Sequence, residues 1–467
     1  MLISQIFWML KQYLFFAIFG VAFLAILFCI SYFIVYRKLL KGQKKINLKS
    51  SVIVAAFVCY ILMVLYATLF SRGSMGYCSV NLDLFSSYLE AWNSFTLRGW
   101  QLLILNIVMF VPFGMLLPLI NKRFKRVIWS ASAGMLFTLL IETVQFIFNL
   151  GVFEVDDIVN NFAGAMIGYG LIMTMLTVLH KETELLKKIT CYLLPLFLVV
   201  GGFAGIFIKY NMNELGNLEE AYSTKIQCEN AKITSDIKLS KESKKDAIYK
   251  TKVYDKKTAL EYAEKIFKGM GIPADNLKIL QFNDNALYTS HEESEYSLWI
   301  DYAGGMYCYT DYTFDKSNPT SEPIKEETIL SKLKKMNVAV PDGLTFENKE
   351  QEGRFCFKAD MTKYKDKYLL GELRGTLYQD GVIRNLENNL AVLEKYKDVE
   401  VISEAEAFEQ IKQGKFNLYL DKEISTLTIE HVNLEYRADS KGFYQPVYNF
   451  KVKMNGEEDY IPVPAIN

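Results

Sequence analysis

The chain alternates long apolar runs with short polar loops up to about residue 210, and then changes to a charged, mixed pattern. A helix needs roughly 20 apolar residues to cross a hydrocarbon core about 30 Å thick, so runs of that length predict membrane-spanning helices. Six such runs precede residue 210, at 15–36, 52–70, 102–120, 127–148, 158–179 and 191–208. The pattern therefore predicts a membrane all-α bundle of six transmembrane helices over residues 1–210.

The second half of the chain has the pattern of a soluble domain. Residues 211–250 are rich in Glu, Lys, Ser and Asn, which predicts a linker. Beyond them, a capping box beginning at Thr258 and another beginning at Ser403 predict helices. Glycine turns at Gly304-Gly305 and at Asn455-Gly456 predict hairpins. Residues 251–467 are thus predicted to form a soluble α+β domain with antiparallel sheets.

Charge divides the chain in the same place. The totals balance at 52 basic and 52 acidic residues, but residues 1–210 carry 17 basic and 8 acidic side chains, leaving 35 and 44 for the rest. A neutral chain with an acidic soluble half argues against nucleic acid as a partner. Long apolar runs also exclude a purely soluble enzyme. The expected partner is the lipid bilayer, in a multi-pass protein of the cell membrane.

Loop charge predicts the orientation of the bundle. Six basic residues lie between the first two apolar runs, whereas the next loop has only Arg72 and Arg98 against two acidic residues. The loops at 122–126 and 181–188 are basic again, and residues 149–157 are acidic. Because basic loops stay in the cytoplasm, both termini and the soluble domain are predicted to be extracytoplasmic.

Polar residues inside the apolar runs fall at one depth. Asn106 lies in the third run, Glu142 and Gln145 lie in the fourth, and Asp157 and Asn161 begin the fifth. In the predicted orientation all five are in the outer leaflet. An ionisable group at mid-helix costs about 2.5–3.5 kcal/mol on insertion scales, so such clusters are functional candidates. The pattern predicts a hydrated cavity; the alternative is that a protonated Glu142 only joins the helices.

A proline and two glycines accompany this cluster. Pro112 removes a backbone donor in the middle of the third run, which predicts a kinked helix or an unpaired carbonyl. Gly164 and Gly168 are four residues apart, a spacing that lets a neighbouring helix approach closely. Helix packing is the simpler interpretation of the two glycines.

The same residues form three motifs that resemble the VanZ-like membrane family. Asn106-x-x-x-Phe-x-Pro112-x-Gly, Glu142-x-x-Gln145 and Asp157-x-x-x-Asn161-x-x-Gly164 match its pattern, and Arg72 matches an outer-loop position. The resemblance covers roughly residues 50–180. Relatives usually carry an arginine shortly before the acidic turn, where this chain has none at 151–154. The helix-then-hairpin units of the outer domain resemble PepSY-type modules.

The resemblance implies a cell-envelope role in a Gram-positive bacterium, and the founding role of the family is low-level teicoplanin resistance. The leading hypothesis is a noncatalytic protein whose outer-leaflet cavity engages an amphiphilic or lipid-linked molecule, such as a lipoglycopeptide or a cell-wall precursor. The alternative is a membrane enzyme that uses Glu142 and Asp157 as an acid–base pair on such a precursor. Transport ranks last, because the inner halves of the runs are almost uniformly apolar.

No cofactor or metal site is expected. The three histidines are far apart, without HxxE or CxxC spacing. Four cysteines, Cys78, Cys228, Cys308 and Cys356, are predicted to be extracytoplasmic, and their pairing stays open.

Overall fold

A computed structural model gives the fold of most of the chain. It describes residues 47–70, 79–180, 183–228, 230–282, 285–290, 295–313, 318–349, 353–418 and 424–466. The first predicted span, 15–36, and the residues Arg72 and Cys78 lie outside these ranges.

Helices long and apolar enough to cross a membrane make up most of residues 47–212, and five of them occur in the part of the chain that the structure describes. Short elements connect them at the two ends of the bundle. In chain order the elements are α1 (Leu48–Leu65) with a π-helical extension (Tyr66–Phe70), β1 (Val80–Asn81), α2 (Ser86–Ser94), α3 (Leu97–Ile120), a 3-10 helix (Lys122–Lys125), α4 (Val127–Ile147), β2 (Phe153–Glu154), α5 (Val155–Leu179) and α6 (Leu185–Met212). The spans predicted within the described ranges are therefore confirmed as apolar helices.

Glycines determine how closely α3 and α5 approach each other. A Cβ atom added to Gly164 would lie 1.9 Å from the carbonyl oxygen of Ile107, and one added to Gly168 would lie 1.9 Å from that of Val111. On the other helix, a Cβ at Gly114 would lie 1.8 Å from the carbonyl oxygen of Ala165. The small-residue spacing thus brings two backbones into contact, as the packing interpretation expected.

The proline in this contact does not divide its helix. α3 runs as one α-helix from Leu97 to Ile120 through both Pro112 and Pro118. The missing N–H of Pro112 removes the helical donor for the carbonyl of Val108. The third span is therefore continuous.

The domain that follows α6, which we call the outer domain, is built on a large, mainly antiparallel sheet, and its described residues form three helices, as predicted. Its helices are α7 (Lys256–Gly269), α8 (Glu326–Lys335) and α9 (Glu404–Lys412). Its strands are β3 (Lys232–Ser235), β4 (Lys244–Lys250), β5 (Lys278–Gln281), β6 (Asn285–Ser290), β7 (Tyr296–Asp301), β8 (Tyr307–Asp311), β9 (Thr345–Lys349), β10 (Arg354–Tyr364), β11 (Lys367–Leu377), β12 (Ile383–Asn388), β13 (Ala391–Val401), β14 (Thr426–Ala438), β15 (Phe443–Met454) and β16 (Glu457–Pro464).

The strands follow the order β3-β14-β15-β4-β13-β11-β12-β8-β7-β6-β5, with β9 and β10 branching from β11, and β16 from β15. Apolar side chains of α7 and α8 pack on the β5–β12 part of this sheet, with Phe267 and Leu333 fully buried. α9 packs separately on β14–β16 through Ile411. A smaller cluster around Tyr249 and Leu393 joins β4, β11, β13 and β15, so the described part of this domain has three hydrophobic clusters.

Two details differ from the sequence prediction. The linker predicted at 211–250 contains β3 and β4, because the short apolar segment Ala247-Ile248-Tyr249 is buried in the sheet despite its lysine-rich surroundings. The capping box of α7 is formed by Asp255 and Thr258, so Thr258 is the third helical residue and not the cap. The box at Ser403 and Glu406 is confirmed.

The outer domain is bonded to one end of the bundle. Asn217 Nδ2 donates to the carbonyl oxygen of Trp92 at 2.6 Å, and Asn93 Nδ2 donates to that of Ala221 at 2.7 Å. Trp92 and Asn93 belong to α2, which precedes the first residue of α3, whereas the basic 3-10 helix follows the last residue of α3. The outer domain and the basic turn thus lie at opposite ends of this span.

Candidate functional site

Two of the polar residues predicted to converge, Asn106 and Asp157, contact each other across the helices. We call Asn106, Glu142, Gln145, Asp157 and Asn161 the polar cluster. Asn106 Nδ2 on α3 donates to Asp157 Oδ1 in the first turn of α5 at 2.5 Å. Both side chains are half-buried. This bond joins the first and third motifs at the edge of the cluster.

One turn deeper, the third motif bonds to α4, the helix that carries the second motif. Asn161 Nδ2 on α5 donates to Thr138 Oγ1 on α4 at 3.0 Å. α4 and α5 are consecutive spans and run in opposite directions, so the residue one turn beyond Thr138, Glu142, lies level with Asp157, one turn before Asn161. Glu142 is 2% exposed. Its carboxyl group is therefore enclosed by the bundle and does not face acyl chains.

A fourth segment closes the cluster. Gln145 Nε2 donates to the carbonyl oxygen of Thr68 at 3.0 Å, and both residues are buried. Thr68 belongs to the π-helical end of α1. A π-helical turn leaves backbone carbonyls out of the α-helical ladder, and such turns are frequent at functional sites.

The other predicted site residues have different places. Gly164 contacts the backbone of Ile107 and so serves the approach of α3 and α5. Pro112 is half-buried, six residues beyond Asn106 along α3. Arg72 lies outside the described residues. Among the predicted residues the structure shows a direct bond between Asn106 and Asp157, and it places Glu142 and Gln145 on α4 and Asn161 on α5.

Two neighbouring residues of α5 were not among the predicted site residues. Asp156, 1% exposed, accepts hydrogen bonds from the backbone N–H of Phe85 at 2.7 Å and of Ser87 at 2.9 Å, and so caps the beginning of α2. Asn160 Oδ1 accepts a hydrogen bond from the Tyr88 hydroxyl. The spacing of four residues between Asp156 and Asn160 was the available signal, because it places both on one face of α5.

Glu154, which precedes α5, is a titratable group at the entrance to this region. Its Oε2 accepts a hydrogen bond from Ser87 Oγ at 3.2 Å. Burial and the nearby charge of Asp157 raise the pKa of the Glu154 carboxyl to about 7. The folded protein therefore holds this proton more tightly than the unfolded chain.

This raised pKa predicts a pH dependence of stability. Between the ordinary pKa of a glutamate and about 7, the folded state binds more protons than the unfolded state, so stability falls as pH rises through that window. We expect the unfolding temperature of the wild-type protein to fall more between pH 5 and pH 8 than that of Glu154→Gln. Thermal melts in detergent at the two pH values test this. Equal slopes for the two proteins would contradict the assignment.

An elongated groove lies beside the polar cluster, at the end of the bundle that carries the outer domain. Its volume is about 540 Å³. α2 contributes Tyr88, Leu89 and Trp92, α3 contributes Trp100, and α6 contributes Leu198, Val199, Gly202, Phe203, Ile206 and Lys209. No residue of the polar cluster lines it. Tyr88 lines the groove, and its hydroxyl bonds to Asn160, the residue that precedes Asn161 of the polar cluster.

The described residues include neither a cluster of metal-binding side chains nor a disulfide bond. These contain no group of three or more His, Cys, Asp or Glu side chains that could hold a metal ion. Cys228, Cys308 and Cys356 are free thiols in the structure. Burial raises the pKa of all three thiols, which lowers the fraction of reactive thiolate at neutral pH.

Comparisons with known proteins agree with the motif resemblance. Residues 57–177 match the model of the VanZ/LLP1 family. The chain is 32% identical to protein VanZ of Enterococcus faecium over 98 residues, which is 19% of this chain and 59% of that protein. The chain thus spans about three fifths of this relative. The matched region contains α3, α4 and almost all of α5, and with them the whole polar cluster.

Two solved structures show a weak similarity to this chain. A crystal structure of an uncharacterized protein from Eubacterium rectale is 12% identical, with a TM-score of 0.27, over 51% of this chain and 88% of that chain. The YpeB C-terminal domain of Bacillus megaterium is 10% identical, with a TM-score of 0.21, over 46% of this chain and 95% of that chain. Neither likeness is strong enough to transfer a function. The resemblance to the VanZ-like family is confirmed for residues 57–177, which hold every described member of its three motifs.

Proposed function

We propose that this chain is a VanZ-like protein of the cell membrane that lowers susceptibility to teicoplanin by engaging an amphiphilic or lipid-linked molecule at the polar cluster. The observation that carries the proposal is that two motifs of that family bond to each other inside an apolar bundle, with the third motif on the adjacent helix α4. Asn106 bonds to Asp157, and Asn161 bonds to the turn that precedes Glu142.

The cost of the cluster supports a role beyond packing. Carboxyl groups inside a span are expensive, and helix association alone can be achieved by the glycine contacts of α3 and α5. The cluster also has an open edge, since Asn106 and Asp157 are half-buried while Glu142, Gln145 and Asn161 are 2–3% exposed. A ligand would reach the cluster at that edge and displace or extend the Asn106–Asp157 bond.

The orientation predicted from loop charge makes this edge accessible to an external antibiotic. In that orientation the outer domain is extracytoplasmic, and the polar cluster lies in the outer leaflet of a Gram-positive membrane. The position of the basic 3-10 helix, at the end of α3 away from the outer domain, supports this proposal.

Susceptibility assays test the function directly. Expression in a teicoplanin-susceptible Gram-positive host should raise the minimal inhibitory concentration several-fold. Glu142→Gln and Asp157→Asn should each return it to the level of the empty vector, because both keep the side-chain volume and remove the carboxylate. Asp398→Asn is the matched control, since its side chain is 66% exposed in the outer domain.

Protein levels in the membrane fraction must be equal across these strains. No increase on expression of the wild type would remove the resistance proposal. Full resistance in both cluster variants would leave a VanZ-like protein that acts elsewhere on its surface.

A second candidate function is a membrane enzyme acting on a lipid-linked cell-wall precursor. The register given by the Thr138–Asn161 bond favours it, because it sets two carboxylic acids level on adjacent helices. Neighbouring acids in different environments have separated pKa values, which acid–base catalysis requires. Incubation of the purified protein with labelled precursor should then give a product of changed mass, and an unchanged precursor would exclude this candidate.

A further inference from the structure

The groove between α2 and α6 has the shape and length of an acyl-chain site. The residues that α6 contributes run from Leu198 to Lys209, eleven residues apart, or about 16 Å of helix at about 1.5 Å per residue. One leaflet of a bilayer has a hydrocarbon thickness of about 15 Å. Its volume of about 540 Å³ is within the range of small-molecule sites.

Aromatic contacts hold the walls of the groove in place. Phe203 of α6 packs against Tyr88 of α2 with ring centroids 6.2 Å apart, and against Trp100 of α3 at 6.1 Å. Phe207, behind the groove, packs on Trp100 at 5.3 Å. The groove is therefore bounded by three helices that already contact one another, and it does not depend on a ligand to form.

One of the residues that line the groove, Gly202, has no side chain. A Cβ atom added to Gly202 would meet nothing within 4 Å, although Gly202 lines the groove. The most apolar stretch of α6 has no residue buried inside the protein, so this helix is open to the membrane. Lipid chains can therefore enter the groove laterally from the membrane.

Lys209 and Trp100 lie at the end of the groove nearest the outer domain. The Lys209 ammonium lies 5.6 Å from the centre of the Trp92 ring and has no acidic partner within the described ranges. Trp100 is 3% exposed, and its indole Nε1 has no acceptor among the described residues. An anionic phosphate suits the Lys209 ammonium.

We infer that the α2–α6 groove binds one acyl chain of an anionic phospholipid, with the phosphate beside Lys209. This inference does not depend on the proposed resistance function, because the ligand is a resident of the membrane. It assigns the groove to lipid and the polar cluster to a separate role.

The test uses full-length protein in nanodiscs that contain phosphatidylglycerol with a photoreactive acyl chain. We expect mass spectrometry to locate the label within residues 198–209. Gly202→Phe should lower the labelling about tenfold by filling the groove. Gly201→Phe and Gly205→Phe are matched controls, since a Cβ at either site also meets nothing within 4 Å and neither residue lines the groove.

Lys209→Gln tests the headgroup. With this variant, labelling by phosphatidylglycerol should fall to the level given by a phosphatidylcholine probe of the same chain, whereas the wild type should prefer the anionic lipid. Equal labelling of Gly202→Phe and Gly201→Phe, or no preference for the anionic probe in the wild type, would overturn the inference.

A third arm separates phospholipid from antibiotic. Teicoplanin added in excess should leave the labelling unchanged. If teicoplanin protects residues 198–209 and phosphatidylglycerol shows no preference over phosphatidylcholine, the groove holds the acyl tail of the antibiotic, and the phospholipid assignment is wrong.

Discussion

Gly164→Ala is expected to lower the unfolding temperature of the membrane bundle strongly, although it adds a single methyl group. The new Cβ would lie 1.9 Å from the carbonyl oxygen of Ile107, and a backbone atom in the middle of α3 cannot move aside. Overpacking typically costs about 1–3 kcal/mol, and we expect the upper end of that range or more here. Thermal melts of detergent-solubilised protein, followed by size-exclusion chromatography, measure the effect.

The control for this change is Gly201→Ala in α6. Both substitutions gain the same helix propensity, about 1 kcal/mol, but a Cβ at Gly201 meets nothing within 4 Å. A Gly164→Ala protein as stable as the Gly201→Ala protein would show that α3 and α5 are not held at the observed distance.

Asp439→Ala is expected to release the outer domain from the bundle. The Asp439 carboxylate is 6% exposed and accepts hydrogen bonds from the N–H groups of Gly216, Lys441 and Phe443 and from Gln445 Nε2, at 2.7–2.9 Å. Each buried donor left without a partner costs about 1–3 kcal/mol, so we expect a loss of at least about 3 kcal/mol. Hydrogen exchange at Gly216 and its neighbours should rise.

Two comparisons make this result specific. Asp439→Asn should have a smaller effect, because the amide keeps one acceptor oxygen. Asp398→Asn should change neither melting nor exchange, because exposed ion pairs contribute about 0–1 kcal/mol. Unchanged exchange at Gly216 in Asp439→Ala would mean that this turn does not hold the outer domain.

The bundle could be predicted from the sequence because each signal for it lies in a short stretch of the chain. Length and apolar character place the spans, and the helical repeat places Glu142 and Gln145 on one face. The antiparallel order of consecutive spans then brings Asp157 to the level of Glu142. These steps need no knowledge of side-chain packing, and the bond between Asn106 and Asp157 agrees with them.

The groove could not be predicted in the same way. Its two main walls, α2 and α6, are separated by about 100 residues, and α2 has only nine. The residue before α2, Phe85, makes no side-chain cap; the cap is Asp156, 71 residues farther along the chain. The strands β3 and β4 were missed for a related reason, because their pairing partners lie on β13, β14 and β15.

The bonds from Asn217 to Trp92 and from Asn93 to Ala221 attach the soluble domain to α2, and α2 is also a wall of the groove. A partner that tilted the soluble domain would therefore displace α2, and with it one wall of the groove. We expect a force applied to the soluble domain to change the width of the groove that is available to a lipid tail, although the partner and the lipid do not touch each other.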